Sequence, residues 1–211
     1  MEPNEYLVLY KGAVGEITEK KSRFIATLSP VKDEAEATAF IDEMKKKYWD
    51  ARHNCTAFVI GKNAELTRCS DDGEPSGTAG RPMLEILMGS GIRNVVVVVT
   101  RYFGGILLGT GGLVKAYSQA VKEALSLCQV ARVVKGYFVD VTMDFTDAGK
   151  IQYYLNAENI KTLETEYTDK VKFKLFLEVS KKDAVLAAIT DKTGGRAVFG
   201  ELIEGEDSIL M

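Results

Sequence analysis

The stretch NVVVVVTRYFGGILLGTGGLVKAYS, Asn94 to Ser118, decides how the first half of the chain is read. Five consecutive valines mark a buried strand, expected over Asn94 to Arg101. Gly104, Gly105, Gly109, Gly111 and Gly112 then break the pattern. From about Gly112 to Leu127 a helix is expected, because Leu113, Tyr117, Ala120, Ala124 and Cys128 recur at helical spacing and form a core face. A second glycine-bearing segment, RCSDDGEPSGTAGRP from Arg68 to Pro82, has the same layout of strand, polar turn and helix start. Both segments bring cations close to a helix N-terminus, where the dipole disfavours positive charge, so a nearby anion is expected at each.

Working outward, alternation through Val14 to Leu28, broken near Lys20 to Ser22, predicts a hairpin or bent strand. Asp33 to Tyr48 predicts an amphipathic helix with Ala35, Ala39 and Met44 inward, its Lys45, Lys46 and Lys47 forming a solvated C-terminal end. His53 to Ile60 and Glu65 to Asp71 predict two strands joined around Gly61 to Ala64. Pairing Ile60 with Glu65 sets Cys55 opposite Ser70 and His53 opposite Asp72, all on one face, with Cys69 on the other. A helix near Thr78 to Met88 completes a two-layered first domain, helices on one face of a sheet. After Cys128 the pattern restarts as strand (133–145), helix (147–158), strand (160–167), strand (171–179), helix (181–192) and strand (196–204). This is the ferredoxin-like βαββαβ order. Val171, Phe173, Leu175 and Leu177 supply its buried face, with lysines and Phe176 on a wet one. The chain is thus read as α+β with two domains, residues 1–130 and 131–211.

Its 211 residues, 46% hydrophobic and 27% charged, describe an ordinary globular protein with formal net charge -3. Residues 1–132 hold 17 Lys and Arg against 16 Asp and Glu, and the remainder 10 against 14, so a polyanionic partner should prefer the first part. Three cysteines suggest reduced thiols. Without a signal-like start or a membrane-length apolar run, a cytoplasmic protein with no membrane partner is expected.

The glycine segment after the valines has the layout of an anion cradle built from backbone amides. It is not a P-loop, since Thr110 stands where the lysine belongs, nor a dinucleotide fingerprint, since Val114 occupies the third glycine position. Lys115, read as lying in the first turn of its helix, and Arg81, near the start of another, call for an anion. That anion is a ligand phosphate or the chain's own Asp71, Asp72 and Glu74. The expected binding set is therefore Arg68, Asp71, Asp72, Glu74, Ser76, Thr78, Arg81, Arg101, Tyr102, Gly104, Gly105, Gly109, Thr110, Gly111 and Lys115. Under the alternative, enzymatic reading, His53 and Asp72 form an acid–base pair and the glycine loop holds an oxyanion of a small phosphorylated or acyl substrate. No metal and no cofactor is expected: His53 is the sole histidine, and the ligand set is too small. Exposure of Ile106 to Leu108 in place of a charged cleft would instead indicate a protein-docking module.

His53-x-Cys55, SDDGEPSGTAGRP and the Asn94 to Ser118 stretch resemble the IMPACT/YigZ family, over about Gly15 to Leu127, and the second domain is similar to the one that follows in bacterial members. The resemblance implies a first domain like domain 2 of ribosomal protein S5 and a second like the C-terminal domain of elongation factor G. Both likenesses point towards translation, and the expected function is that of a non-catalytic protein with RNA, the ribosome or a translation factor as partner. A proline-dipeptidase activity, attached to some bacterial relatives, lacks the Asp, Glu and His ligands that such a metallopeptidase needs.

Overall fold

The computed structural model describes residues 5–211 and divides into two compact units, Tyr6–Arg132 with Leu210–Met211, and Val133–Ile209 with Glu5. The first unit runs β1 (Tyr6–Lys11), β2 (Val14–Glu19), β3 (Ser22–Pro30), α1 (Glu34–Lys47), β4 (His53–Ile60), β5 (Leu66–Ser70), α2 (Gly80–Ser90), β6 (Ile92–Arg93), β7 (Val95–Tyr102) and α3 (Gly109–Ser126). Its main sheet has the order β2-β3-β7-β4-β5, antiparallel throughout, with the valine strand β7 in the centre. The short β1 and β6, which the sequence did not announce, pair in parallel through Leu7 and Ile92.

All five valines are completely buried, which requires cover on both sides of the sheet. Val95, Val97 and Val99 join Ala57, Val59, Met83, Leu87, Leu113 and Tyr117 beneath α2 and α3. Val96 joins Phe58, Ile60 and Ala37 beneath α1. The expected two layers are therefore three. Each buried valine contributes about 1.5–3 kcal/mol relative to exposure, so neither helical layer is dispensable. Asp33 caps α1 through the Glu36 N–H at 2.9 Å. The inward stripe of α1 is Ala37, Phe40, Ile41 and Met44. Ala35 and Ala39 are exposed: small residues gave the helical period but misplaced its phase.

Two hairpins set the register. The β4–β5 loop holds five residues, with Gly61 and Ala64 at φ 89° and 58°, so Ile60 pairs with Leu66 instead of Glu65. That one-residue slip turns Cys69 to the same face as Cys55 and moves Asp72 alongside Asn54. The β2–β3 loop is only Lys20 and Lys21, at φ 45° and 65°. This is the two-residue turn that Asn-Gly normally supplies. For a lysine the left-handed conformation costs roughly 1–2 kcal/mol.

In the second unit, β8 (Gln129–Met143, entering at Val133), α4 (Phe145–Ala157), β9 (Lys161–Tyr167), β10 (Val171–Glu178), α5 (Lys182–Lys192), β11 (Val198–Phe199) and β12 (Ile203–Leu210) follow the ferredoxin-like order. β10 lies between β8 and β9, and β11 and β12 both pair with β8. The expected last strand, 196–204, is divided between β11 and β12. Phe173, Leu175 and Leu177 pack against Ile151, Leu155 and Ile189. The opposite face carries Lys172 between Asp140 and Glu166 at 3.4 and 3.3 Å. Phe176 is not on a wet surface: it is 2% exposed, with its ring 5.1 Å from that of Phe138.

Candidate functional site

Residues Arg101 and Tyr102, neighbours at the end of β7, point to opposite sides of the sheet. On the α2/α3 side Arg101 Nη1 donates to Glu74 Oε1 at 2.7 Å, and Tyr117 donates its hydroxyl to the same oxygen at 2.8 Å. Both partners of the ion pair are withdrawn from water, with side chains 8% and 3% exposed. Arg101 Nε is buried without a hydrogen-bond partner, and the guanidinium lies 5.5 Å from the ring centroids of Phe24 and Phe103. Cys55 donates to the Asp71 carbonyl at 3.0 Å and lies 3.3 Å from the Tyr117 hydroxyl. Burial pushes the Cys55 thiol up to about 12 and raises Tyr117 as well. Neither is poised to ionise at neutral pH.

The polar loop between β5 and α2 is held by its own acids. Asp71 accepts the N–H groups of Gly77, Ala79 and Gly80 at 2.8, 3.0 and 2.8 Å. The chain thereby supplies the anion for the start of α2. Burial works to raise the Asp71 pKa, but the three backbone donors outweigh it and hold the carboxyl below its ordinary value. Asp72 accepts from the Asn54 N–H at 2.7 Å and from Lys45 at 3.3 Å. Thr78 donates to the Pro75 carbonyl at 2.7 Å, and Ser76 is exposed. His53 Nδ1 meets the backbone carbonyl of Asp72 at 2.8 Å, which assigns the proton to Nδ1. The proposed acid–base pair of side chains is thus not formed: the carboxylate of Asp72 is committed to other donors.

The cations do not gather into one pocket. Arg68 projects from the α1 side of β5 and pairs with Glu34 at 2.8 Å. Arg81 is exposed on α2, paired with Glu85 at 3.2 Å. Tyr102, on the α1 side, donates to Asp50 at 2.8 Å. Lys115 lies in the second turn of α3, not the first, because the helix already starts at Gly109, and the dipole penalty expected there is small. Among the described residues Lys115 makes no ion pair.

The loop from Phe103 to Leu108 carries what remains outward. Gly105 and Gly109 take φ of 84° and 72°, and Gly104 packs so closely on the Lys21 carbonyl that a Cβ would overlap it. Phe103, Ile106 and Leu107 are 48%, 43% and 81% exposed. Thr110 and Gly111 are exposed at the start of α3, which has no side-chain cap and no acid in its first turn. Tyr117 was the least legible member of the site. Its place in an apolar helical stripe gave it away as core, and only its hydroxyl, where phenylalanine would pack as well, signalled a buried partner. Among the described residues no group of three or more His, Cys, Asp and Glu side chains could hold a metal, and no helix is long and apolar enough to cross a membrane.

The family described as "Impact N-terminal domain" matches residues 20–125, and "Domain of unknown function (DUF1949)" matches 141–196. The chain is 40% identical over 207 residues to the IMPACT family member YvyE of Bacillus subtilis, covering 98% of this chain and 94% of that protein. With Protein IMPACT of Danio rerio it shares 40% identity over 98 residues, 44% of this chain and 30% of that one. A crystal structure described as that of a hypothetical protein superimposes with a TM-score of 0.60 at 34% identity, covering 92% of this chain and 96% of that one.

Proposed function

The chain belongs to the IMPACT family, and on that premise we propose that it is a non-catalytic, cytoplasmic protein that engages the translation apparatus through the loop leading from β7 into α3. The family supplies the connection to translation. The observation that carries the surface is the contrast between groups tied off inside the unit and groups turned out of it. Glu74, Arg101, Tyr117, Asp71 and Asp72 are engaged with one another or with backbone. Phe103, Ile106, Leu107 and Lys115 face outward. An exposed apolar tip followed by an unpaired cation and uncapped helix amides suits docking against a mixed surface of protein and phosphate.

Nothing in the site is arranged as a nucleophile with its base. Cys55 is protonated and buried, and the His53 ring is oriented by a carbonyl. The enzymatic alternative therefore requires groups that are here occupied. Co-sedimentation with ribosomes at low salt tests the reading: the wild-type chain pellets with ribosomes, and Lys115→Glu and Leu107→Ser each weaken the association several-fold. A chain that stays in the supernatant at low salt, or whose association neither variant changes, contradicts it.

A further inference from the structure

The Tyr102 side of the same strand end carries a second surface, which uses residues the docking loop does not. Trp49, the only tryptophan in the chain, is 82% exposed. Beside it Lys47 Nζ lies 5.2 Å from the ring centroid of Tyr48, and the Arg23 guanidinium lies 5.8 Å from that of Tyr102. Tyr102 is fixed by Asp50, and Arg23 by both oxygens of Glu16 at 2.8 and 2.9 Å. Both of these acids are spent on orienting the surface. The β2–β3 turn adds Lys20 and Lys21, tied to the loop after Tyr102 by the contact of Gly104 with Lys21. Among the described residues Lys20, Lys21, Lys46 and Lys47 make no ion pair.

Two features exceed what a solvated helix end explains. A tryptophan left in water has its apolar ring uncompensated. Lysines, not Asn-Gly, occupy a turn that requires positive φ at both positions, so charge is kept there at the expense of backbone strain. Flat rings set among cations are a means by which proteins take up single-stranded nucleic acid, bases on the rings and phosphates on the lysines.

We propose that Trp49, Tyr48, Tyr102 and Arg23, with the lysines of the β2–β3 turn and of the α1 end, form a binding platform for single-stranded RNA. The choice of RNA over DNA rests on the translational reading above; the stacking and phosphate chemistry does not.

The chain contains its own probe, since the emission of Trp49 reports stacking directly. Titration with a twelve-nucleotide oligouridylate at 50 mM salt gives saturable quenching. Raising the salt to 200 mM weakens binding on the order of tenfold or more, as neutralisation of several single-strand phosphates requires. By anisotropy of the labelled oligonucleotide, Trp49→Ala binds about tenfold more weakly. The double substitution Lys20→Asn, Lys21→Gly raises the thermal midpoint while weakening binding several-fold, a combination that a purely structural turn does not give. Unquenched emission, binding indifferent to Trp49→Ala, equal quenching by inorganic polyphosphate, tighter binding of oligothymidylate, or a blue shift with anionic phosphatidylserine vesicles without oligonucleotide binding would each overturn the proposal. Ribosome co-sedimentation of a wild-type chain that binds no oligonucleotide would sink this inference alone. Oligonucleotide binding without ribosome association would sink only the docking reading.

Discussion

At the end of β7, one residue step separates a closed region from an open one. Arg101 is 7% exposed and shares a carboxylate oxygen with Tyr117, while Tyr102 leads onto a surface with Trp49 at 82% exposure and four lysines that are unpaired among the described residues. Both regions combine cations with aromatic rings, and composition alone does not separate them. Burial does. Inside, a charge without its partner is intolerable, so every acid of the 71–74 loop is committed to holding loop and helix together. Outside, water screens charge, so lysines remain uncommitted and available to a partner.

That contrast predicts opposite consequences for substitutions on the two sides of one strand end. The largest effect belongs to Glu74→Ala, which leaves Arg101 buried and unpaired and costs about 3–5 kcal/mol in urea unfolding. The pair Glu74→Leu with Arg101→Met costs much less than either single change, and a double substitution as damaging as the sum would show that the pair is not coupled. Asp71→Ala removes the acceptor for three N–H groups and costs about 1–2 kcal/mol. Because the folded-state pKa of Asp71 is depressed, its contribution is present above the unfolded carboxyl value of roughly 3.9 and is lost as pH falls through the lower folded value. In Asp71→Asn the acid limb of the stability curve loses that component. On the open side, replacing Lys20 and Lys21 by Asn-Gly stabilises the fold by about 1–2 kcal/mol, visible as a raised thermal midpoint. The smallest change is Glu16→Ala: its bond to Arg23 is exposed, and the loss is about 0.2–1 kcal/mol. Thiol alkylation of the native chain sharpens the same division, with exposed Cys69 labelled before Cys55, whose protonated sulfur is fully buried.

Much of the fold was readable from periodicity. The valine run named the central strand, and alternation at Val171 to Leu177 named the core of the second unit. Periodicity gave neither phase nor register. Ala35 and Ala39 fit the helical period as well as Ala37 does, and one extra residue in the loop before Leu66 moved Cys69 across the sheet. The site was half legible for a related reason. Glycine and acid patterns marked the two loops, but strand alternation parts Arg68 and Tyr102 from Arg101. Which cations are free depends on partners distant in sequence, such as Glu34 for Arg68 and Glu74 for Arg101. Trp49 gave no signal at all, because an aromatic pair in a polar stretch does not disclose which ring is exposed.

A hydrogen-exchange footprint of the chain on ribosomes tests the division between scaffold and surface most directly. Added protection is predicted at residues 20–23, 48–52 and 103–110, with Glu74, Arg101 and Tyr117 already slow in the free chain and unchanged on binding. Protection confined to residues 133–209, or new slowing at 71–74 with none at 48–52 and 103–110, would contradict the account.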